Sequence, residues 1–227
     1  MTDRRAAAAE SAEPTRVLLV DDHPLVRQGI RMLLTGEKDL EVCGEAEDAA
    51  GALAFLKDRP VDVAVVDLSL KNSSGLDLIK DIRRRFPTVQ VLVVSMRNEG
   101  LYAERALRAG ARGYVTKEEG PHEVLAGIRK VLGGDIHVSA ALASQVMKRL
   151  VPGASPAGAG PSVEALTDRE LQVLDLIGQG LATREIAERL HVSGKTVDSH
   201  REHMKQKLHL SSAPELLKFA IQWQQRA

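Results

Sequence analysis

The sequence predicts an α/β domain built on a parallel sheet, followed by a smaller all-helical domain, and three observations carry that prediction. Between Thr15 and Leu132 short apolar runs alternate with helical patterns five times, as in a parallel sheet with crossover helices. The third run, VDVAVVDLSL from Val61 to Leu70, is almost continuously apolar and β-branched, which suits a central strand covered on both faces. From Glu164 onward only the helical period remains.

The elements follow in order. The first strand is Arg16 to Val20, and Pro24 opens a helix whose Val26, Ile30, Leu33 and Leu34 form one apolar face. The second strand is Glu41 to Glu45; its helix, Ala49 to Lys57, is stopped by Arg59-Pro60. After the central strand, Leu76 to Phe86 is helical with Leu78, Ile79 and Ile82 inward, ended by Pro87. The fourth strand precedes a helix from about Gly100 to Ala109, closed by Gly110. A short strand, Gly113 to Thr116, leads to a helix opened by Pro121 and carrying Val124, Leu125, Ile128, Val131 and Leu132. Ser139 to Leu150 reads as one more helix. The next twelve residues, VPGASPAGAGPS, hold three prolines and three glycines and mark a flexible linker. The expected division is therefore a disordered tail over 1–14, an α/β domain over 15–135, a linker helix and linker over 136–163, and a helical domain over 164–227.

Composition narrows the function class. The 227 residues carry 31 Lys+Arg and 31 Asp+Glu, so net charge does not advertise nucleic acid or membrane, and any basic surface is local. Aromatics are 3%, which leaves the cores to Leu, Val, Ile and Ala. The single cysteine, Cys43, lies in a strand-like segment and reads as a buried small residue in a reducing compartment. Glu10 and Glu13 interrupt the alanine-rich N-terminus, which does not read as a signal peptide. No run approaches the roughly 18 to 20 apolar residues of a membrane span, so a cytoplasmic protein without membrane partners is expected.

The strand ends carry the chemistry. Apolar runs end in Asp21-Asp22, Asp67, Ser95 and Lys117, and in a doubly wound sheet ligands bind outside the carboxyl ends of the strands. Three carboxylates in one place repel unless a cation offsets them, and Mg²⁺ prefers hard oxygen ligands of this kind. The expected metal ligands are Asp22, Asp67 and the backbone carbonyl of Ser69, with Asp21 acting mainly through water. Asp67 keeps a free oxygen as nucleophile toward a phosphoryl group, while Lys117 neutralises charge and Ser95 donates a hydrogen bond. A haloacid-dehalogenase-type phosphatase, with its nucleophile ending the first strand, wants a second acid two residues later. Here Asp21 is followed by Asp22 and His23, which does not fit.

The order Asp21-Asp22, Asp67, Ser95, Lys117 resembles the receiver domain of two-component response regulators. The resemblance implies a flavodoxin-like five-stranded sheet of order 2-1-3-4-5, phosphorylation of Asp67 by a sensor histidine kinase, and Tyr114 as the aromatic that changes rotamer in response. It implies no enzymatic role beyond Mg²⁺-dependent self-phosphorylation and autodephosphorylation. Two departures stand out. Lys71 replaces a usual proline, which predicts altered loop rigidity. Met96 replaces a usual small residue after Ser95, which predicts narrowed access to Asp67 and slow phosphoryl turnover.

In the helical domain, Thr167 with Glu170 forms a capping box before Leu171, Val173, Leu174 and Ile177. Gly178 and Gly180 end that helix, Thr183 opens the next, and Thr196 starts a longer one reaching about Leu208; two helices joined this tightly describe a helix-turn-helix. The segment from Leu166 to Leu208 resembles the LuxR-type helix-turn-helix of NarL/FixJ-class regulators, with Arg184 where asparagine is common. That resemblance implies a four-helix, promoter-binding domain that acts as a homodimer when active, with RNA polymerase as a further partner. Val197, His200, Met204 and Leu208 recur at helical steps and pack inward. The expected DNA contacts are Thr183, Ser193, Lys195, Thr196, Asp198, Ser199, Arg201, Glu202, His203 and Lys205. Asp198 and Glu202 face a polyanion, so they either accept from cytosine amino groups or pair with Arg201 and Lys205 to orient those cations. Glu164 to Ala227 holds nine basic and nine acidic residues, so each monomer should bind modestly and paired half-sites should supply affinity. The last helix, Pro214 to Gln225, carries Leu216, Leu217, Ala220, Ile221 and Trp223 for a dimer surface or for its own core.

Overall fold

A computed structural model describes residues 13–70, 73–97, 99–144 and 163–224. Most of the N-terminal tail, Lys71, and the linker from Val151 to Ser162 lie outside the described residues. The chain separates into two compact units.

From Thr15 to Leu132 the elements run β1 (Thr15–Val20), α1 (Pro24–Thr35), β2 (Leu40–Ala46), α2 (Ala49–Asp58), β3 (Val63–Val66), β4 (Ser69–Leu70), β5 (Ser73–Ser74) and α3 (Gly75–Arg85). They continue as β6 (Gln90–Ser95), α4 (Glu99–Ala109), β7 (Gly113–Thr116) and α5 (Pro121–Leu132). Five strands pair in parallel in the order β2-β1-β3-β6-β7. With the small antiparallel β4-β5 ladder set aside, this is the expected 2-1-3-4-5 order.

The alternation of strand side chains between faces builds the core. Val17, Leu19, Val63, Val65, Leu92, Val94 and Val115 point to one face, where Ile30 and Leu34 of α1 and Val124, Leu125, Ile128 and Val131 of α5 cover them. Leu18, Val20, Ala64, Val66 and Val93 alternate with them and are also buried, as are Ala52 and Leu56 of α2 and Leu78, Ile79 and Ile82 of α3. Double-sided burial explains why β3 shows no polar alternation. Helix α3 is capped by Ser74, which accepts from the Asp77 amide, and Arg83, Arg84 and Arg85 in its last turn complement the helix dipole. Cys43 is half-buried rather than buried; its thiol donates to the Val17 carbonyl, and burial pushes its pKa up.

In the second unit a helix opens at Ala140, one residue after the expected start, and its continuation beyond Ser144 lies outside the described residues. A 3-10 turn, Val163–Ala165, then precedes four helices, Asp168–Gly178, Thr183–Arg189, Gly194–Lys207 and Ala213–Gln224. The first is capped by the expected box: Thr167 accepts from the Glu170 amide while Glu170 accepts from the Thr167 amide at 2.8 Å. Leu171, Val173, Leu174, Ile177, Ile186, Val197, Met204, Leu208, Leu216 and Ala220 are buried. The last helix divides its apolar residues: Leu216 and Ala220 are buried, whereas Leu217 and Ile221 are 42% and 41% exposed.

Candidate functional site

Sheet register brings the strand-end residues of the first unit together. Val20 pairs with Val66, so Asp21 and Asp67 leave the sheet side by side, and the Asp67 amide donates to the Val20 carbonyl at 2.8 Å. Ser95 pairs with Thr116, and the Lys117 amide donates to the Ser95 carbonyl at 2.9 Å. Gly75 lets the chain turn back beneath this edge: a Cβ there would stand 2.3 Å from the Asp67 carbonyl oxygen and 2.5 Å from Leu68 Cα.

The two oxygens of Asp67 have different partners. Lys117 Nζ lies 2.8 Å from Oδ2 and also 2.7 Å from Asp21 Oδ2, bridging the two acids. Ser95 donates its hydroxyl to Oδ1 at 2.7 Å, and the Ser69 amide lies 3.2 Å from the same oxygen. Asp67 is 3% exposed, Asp21 4% and Ser95 0%, so these charges interact with little water between them and more strongly than on a surface. Burial alone lowers the Lys117 pKa, but the Asp67 charge and hydrogen bonds to Asp21 and Asp67 outweigh it and raise the pKa overall, holding the ammonium charged. Tyr114 is buried and donates to the Arg97 carbonyl at 2.8 Å; burial, then the Asp67 charge, push its phenol pKa upward.

Asp22 stands on the outer side. Its Oδ1 is buried and makes no hydrogen bond, although His23 Nδ1 lies 2.7 Å away. Single ligand atoms of Asp21, Asp22, His23 and Asp67 all fall within 4.8 Å of one another. Hard carboxylate oxygens converging with one left unsatisfied fit a small divalent cation.

Two features were not readable from the residues. Arg97 reaches back to the loop after Asp67, where its Nε donates to Ser69 Oγ at 3.0 Å, while its amide lies 3.4 Å from Ser95 Oγ. Met96, expected to narrow the entrance, is 63% exposed, and it is its neighbour that crosses toward Ser69.

In the second unit, Lys195, Asp198, Ser199, Glu202 and His203 are exposed on the third helix; Thr196, Arg201 and Lys205 are partly exposed, and His200 turns half inward. Burial lowers the His200 pKa. Ser193 caps this helix by accepting from the Thr196 amide, and the two hydroxyls lie 2.8 Å apart. Glu202 pairs with Lys205 at 2.8 Å, whereas Arg201 donates to Thr183 Oγ1 at 2.6 Å rather than pairing with Asp198 among the described residues. Arg184 is exposed and pairs with Glu188. Glu170, besides closing the capping box, receives Lys207 Nζ at 2.7 Å, which ties the start of the first helix to the end of the third.

Residues 17–129 match the response regulator receiver domain model, and residues 164–220 match that of the luxR family of bacterial regulatory proteins. The oxygen regulatory protein NreC of Staphylococcus carnosus is 34% identical over 209 residues, covering 91% of this chain and 96% of that protein. NreC of Staphylococcus aureus strain MRSA252 is 35% identical with the same coverage. Among solved structures, the RcsB response regulator of Salmonella typhimurium superposes with a TM-score of 0.71 at 27% identity, covering 93% of this chain and 98% of that one. RcsB bound to promoter P1flhDC in the presence of the phosphomimetic BeF₃⁻ gives a TM-score of 0.68 at 28% identity, covering 92% and 98%. With this sheet order, this helical unit and these relatives, the chain belongs to the NarL/FixJ class of two-component response regulators and is a phosphorylation-dependent regulator of transcription.

Proposed function

We propose that Asp67 is the phosphoryl acceptor and that its modification controls dimerisation and promoter binding by residues 164–227. The observation that carries this reading is the buried Asp67 carboxylate, with one oxygen on Lys117 and the other on Ser95. An oxygen of Asp67 attacks the phosphorus of a phosphohistidine on a sensor kinase. The new O–P bond forms as the P–N bond breaks, and the imidazole leaves with the electron pair and takes up a proton. Lys117 balances the charge that accumulates on the phosphoryl oxygens, and Ser95 offers them its hydroxyl in place of Asp67 Oδ1.

Asp21, Asp22, Asp67 and the Ser69 carbonyl would hold Mg²⁺, which when bound supplies further positive charge to the phosphoryl oxygens. As Ser95 moves toward the phosphoryl group, the Arg97 segment moves with it. Tyr114, held by the Arg97 carbonyl, is then free to change rotamer. The linker between the α/β and helical domains lets this change reach the helical domain. There the third helix enters the major groove with Lys195, Thr196, Asp198, Ser199, Arg201, Glu202, His203 and Lys205 facing DNA, beside Thr183 and Ser193. The half-exposed Leu217 and Ile221 of the last helix supply the dimer surface. The structures of RcsB bound to promoter DNA in the presence of a phosphomimetic, and of two RcsB dimers on two parallel DNAs, support a dimeric, promoter-bound form for this chain as well.

The test is intact-mass measurement after incubation with acetyl phosphate and Mg²⁺, paired with genome-wide DNA enrichment. Wild type should gain one phosphoryl group and enrich specific promoters, and Asp67→Asn should do neither. Equal labelling of Asp67→Asn would overturn the assignment.

A further inference from the structure

We infer that Glu99 is the positioning residue that carries the state of Asp67 to the chain beyond α5: its carboxylate holds Ser139, and the shift of the Ser95–Arg97 segment on phosphorylation lets Ser139 go. The inference rests on the phosphoryl-acceptor reading above. It adds the point at which the signal leaves the first unit, because Ser139 is the last residue of that unit, directly before the helix that opens at Ala140.

After α5 the chain returns along the outer edge of β7 and is held there twice. The first hold is His137, which bridges Gly113 in parallel: its amide donates to the Arg112 carbonyl at 2.9 Å, and its carbonyl accepts from the Tyr114 amide at 2.8 Å. Its ring lies 3.3 Å from Glu123 and against Gly127, where a Cβ would stand 3.1 Å from Cδ2. These partners belong to the β7 backbone and to α5, so this hold does not depend on the Ser95–Arg97 segment. The second hold does. The Ser139 amide donates to one carboxylate oxygen of Glu99 at 3.0 Å, and the Ser139 hydroxyl donates to the other. An acid in the first turn of a helix ordinarily serves the helix dipole alone. Here both oxygens are committed to a residue 40 positions farther along the chain.

Glu99 follows closely on the residues that meet the phosphoryl group. Ser95 donates to Asp67 Oδ1 at 2.7 Å, the Arg97 amide lies 3.4 Å from Ser95 Oγ, and the Arg97 carbonyl takes the Tyr114 hydroxyl at 2.8 Å. Ser95 cannot keep its bond to Oδ1 and also serve a phosphoryl oxygen, so its shift draws on Arg97 and on the carboxylate two residues beyond. Hydrogen bonds are lost beyond about 3.5 Å, so a displacement on the order of 1 Å breaks the hold on Ser139. His137 stays in place, and Val138 becomes the hinge from which the chain swings out.

The experiment is hydrogen exchange read by mass spectrometry on the full-length protein, with and without acetyl phosphate and Mg²⁺, while intact mass reports the labelling of Asp67 in the same samples. In wild type, exchange over 137–144 should speed up by about tenfold or more on labelling. Glu99→Ala should show the faster exchange before labelling and no further rise after it, with Asp67 labelled to within about twofold of wild type and exchange over β3 unchanged. Glu99→Gln, which keeps one acceptor oxygen, should lie between. The inference is overturned if labelled wild type shows no rise over 137–144, or if Glu99→Ala matches wild type in either state. Should Glu99→Ala loosen β3 as well, Glu99→Gln decides, and a wild-type response from it counts against the hold. A wild type that gains no mass removes the phosphoryl-acceptor reading and this inference with it, whereas mass gain without faster exchange removes the Glu99 relay alone.

Discussion

Glu170→Ala tests the ion pair that closes the DNA-binding unit. Glu170 is buried, accepts from the Thr167 amide at 2.8 Å, and takes Lys207 Nζ at 2.7 Å. Loss of a capping interaction costs about 0.5 to 2 kcal/mol. Loss of a hydrogen bond to a charged group costs about 1.5 to 3 kcal/mol, toward the lower end here because Lys207 keeps a solvated side. The sum is about 2 to 4 kcal/mol against roughly 3 to 9 kcal/mol expected for a unit of some sixty residues.

Trp223 is the only tryptophan in the chain and lies in the last helix, so its fluorescence reports this unit within the intact protein. With a urea slope of roughly 1 kcal/mol/M, the midpoint should fall by about 2 to 4 M, or the unit should be unfolded from the start. Glu170→Gln, which keeps an acceptor for Thr167 but loses the charge, should lie between. Burial alone raises the Glu170 pKa, but the Lys207 and Thr167 hydrogen bonds and the Lys207 charge outweigh it and lower the pKa below the ordinary carboxyl value. A lowered folded-state pKa gives stability that is complete above the unfolded value near 4.3 and is lost as pH falls through the folded value. Wild type should therefore lose more of its midpoint on acidification below about pH 4.3 than Glu170→Gln. A midpoint shift under about 0.5 M for Glu170→Ala would refute the reasoning, since it would mean that the buried carboxylate contributes almost nothing.

Three further outcomes are expected. Gly75→Ala places a methyl group against the Asp67 carbonyl and Leu68 Cα, and should cost about 1 to 3 kcal/mol and several degrees of the first unit's melting temperature, measured by calorimetry; an unchanged melt would show that the loop after Asp67 yields freely. Arg97→Ala opens the Ser69 side to water and should speed loss of the phosphoryl group roughly threefold or more, whereas Met96→Ala, removing a 63% exposed side chain, should leave the decay within about twofold; the reverse ranking would restore Met96 as the access-limiting residue. Glu202→Ala should change affinity for promoter DNA by less than about tenfold and leave base preference on a randomised library unchanged, because Glu202 is 64% exposed and pairs with Lys205; a shifted preference would establish Glu202 as a base reader.

What could be read from the sequence follows from what each feature depends on. The strand ends were legible because a β-branched run that stops in an acid fixes both burial and the point of exit from the sheet. Asp21, Asp67, Ser95 and Lys117 then meet through register alone, as the Val20–Val66 and Ser95–Thr116 pairings show. The capping box was legible because both of its partners lie within one turn of helix. The Arg97–Ser69 bond was not, since it spans two loops whose separation depends on how β3 and β6 pair and how Gly75 returns the chain. The Lys207 partner of Glu170 was hidden for the same reason: the residues are 37 apart and meet only when the third helix crosses the first. His23 lies between these cases: its adjacency to two acids is plain in the sequence, but that its amide and ring nitrogen both meet Asp21 Oδ1, at 2.8 and 3.2 Å, follows from the extended backbone at this turn rather than from residue type.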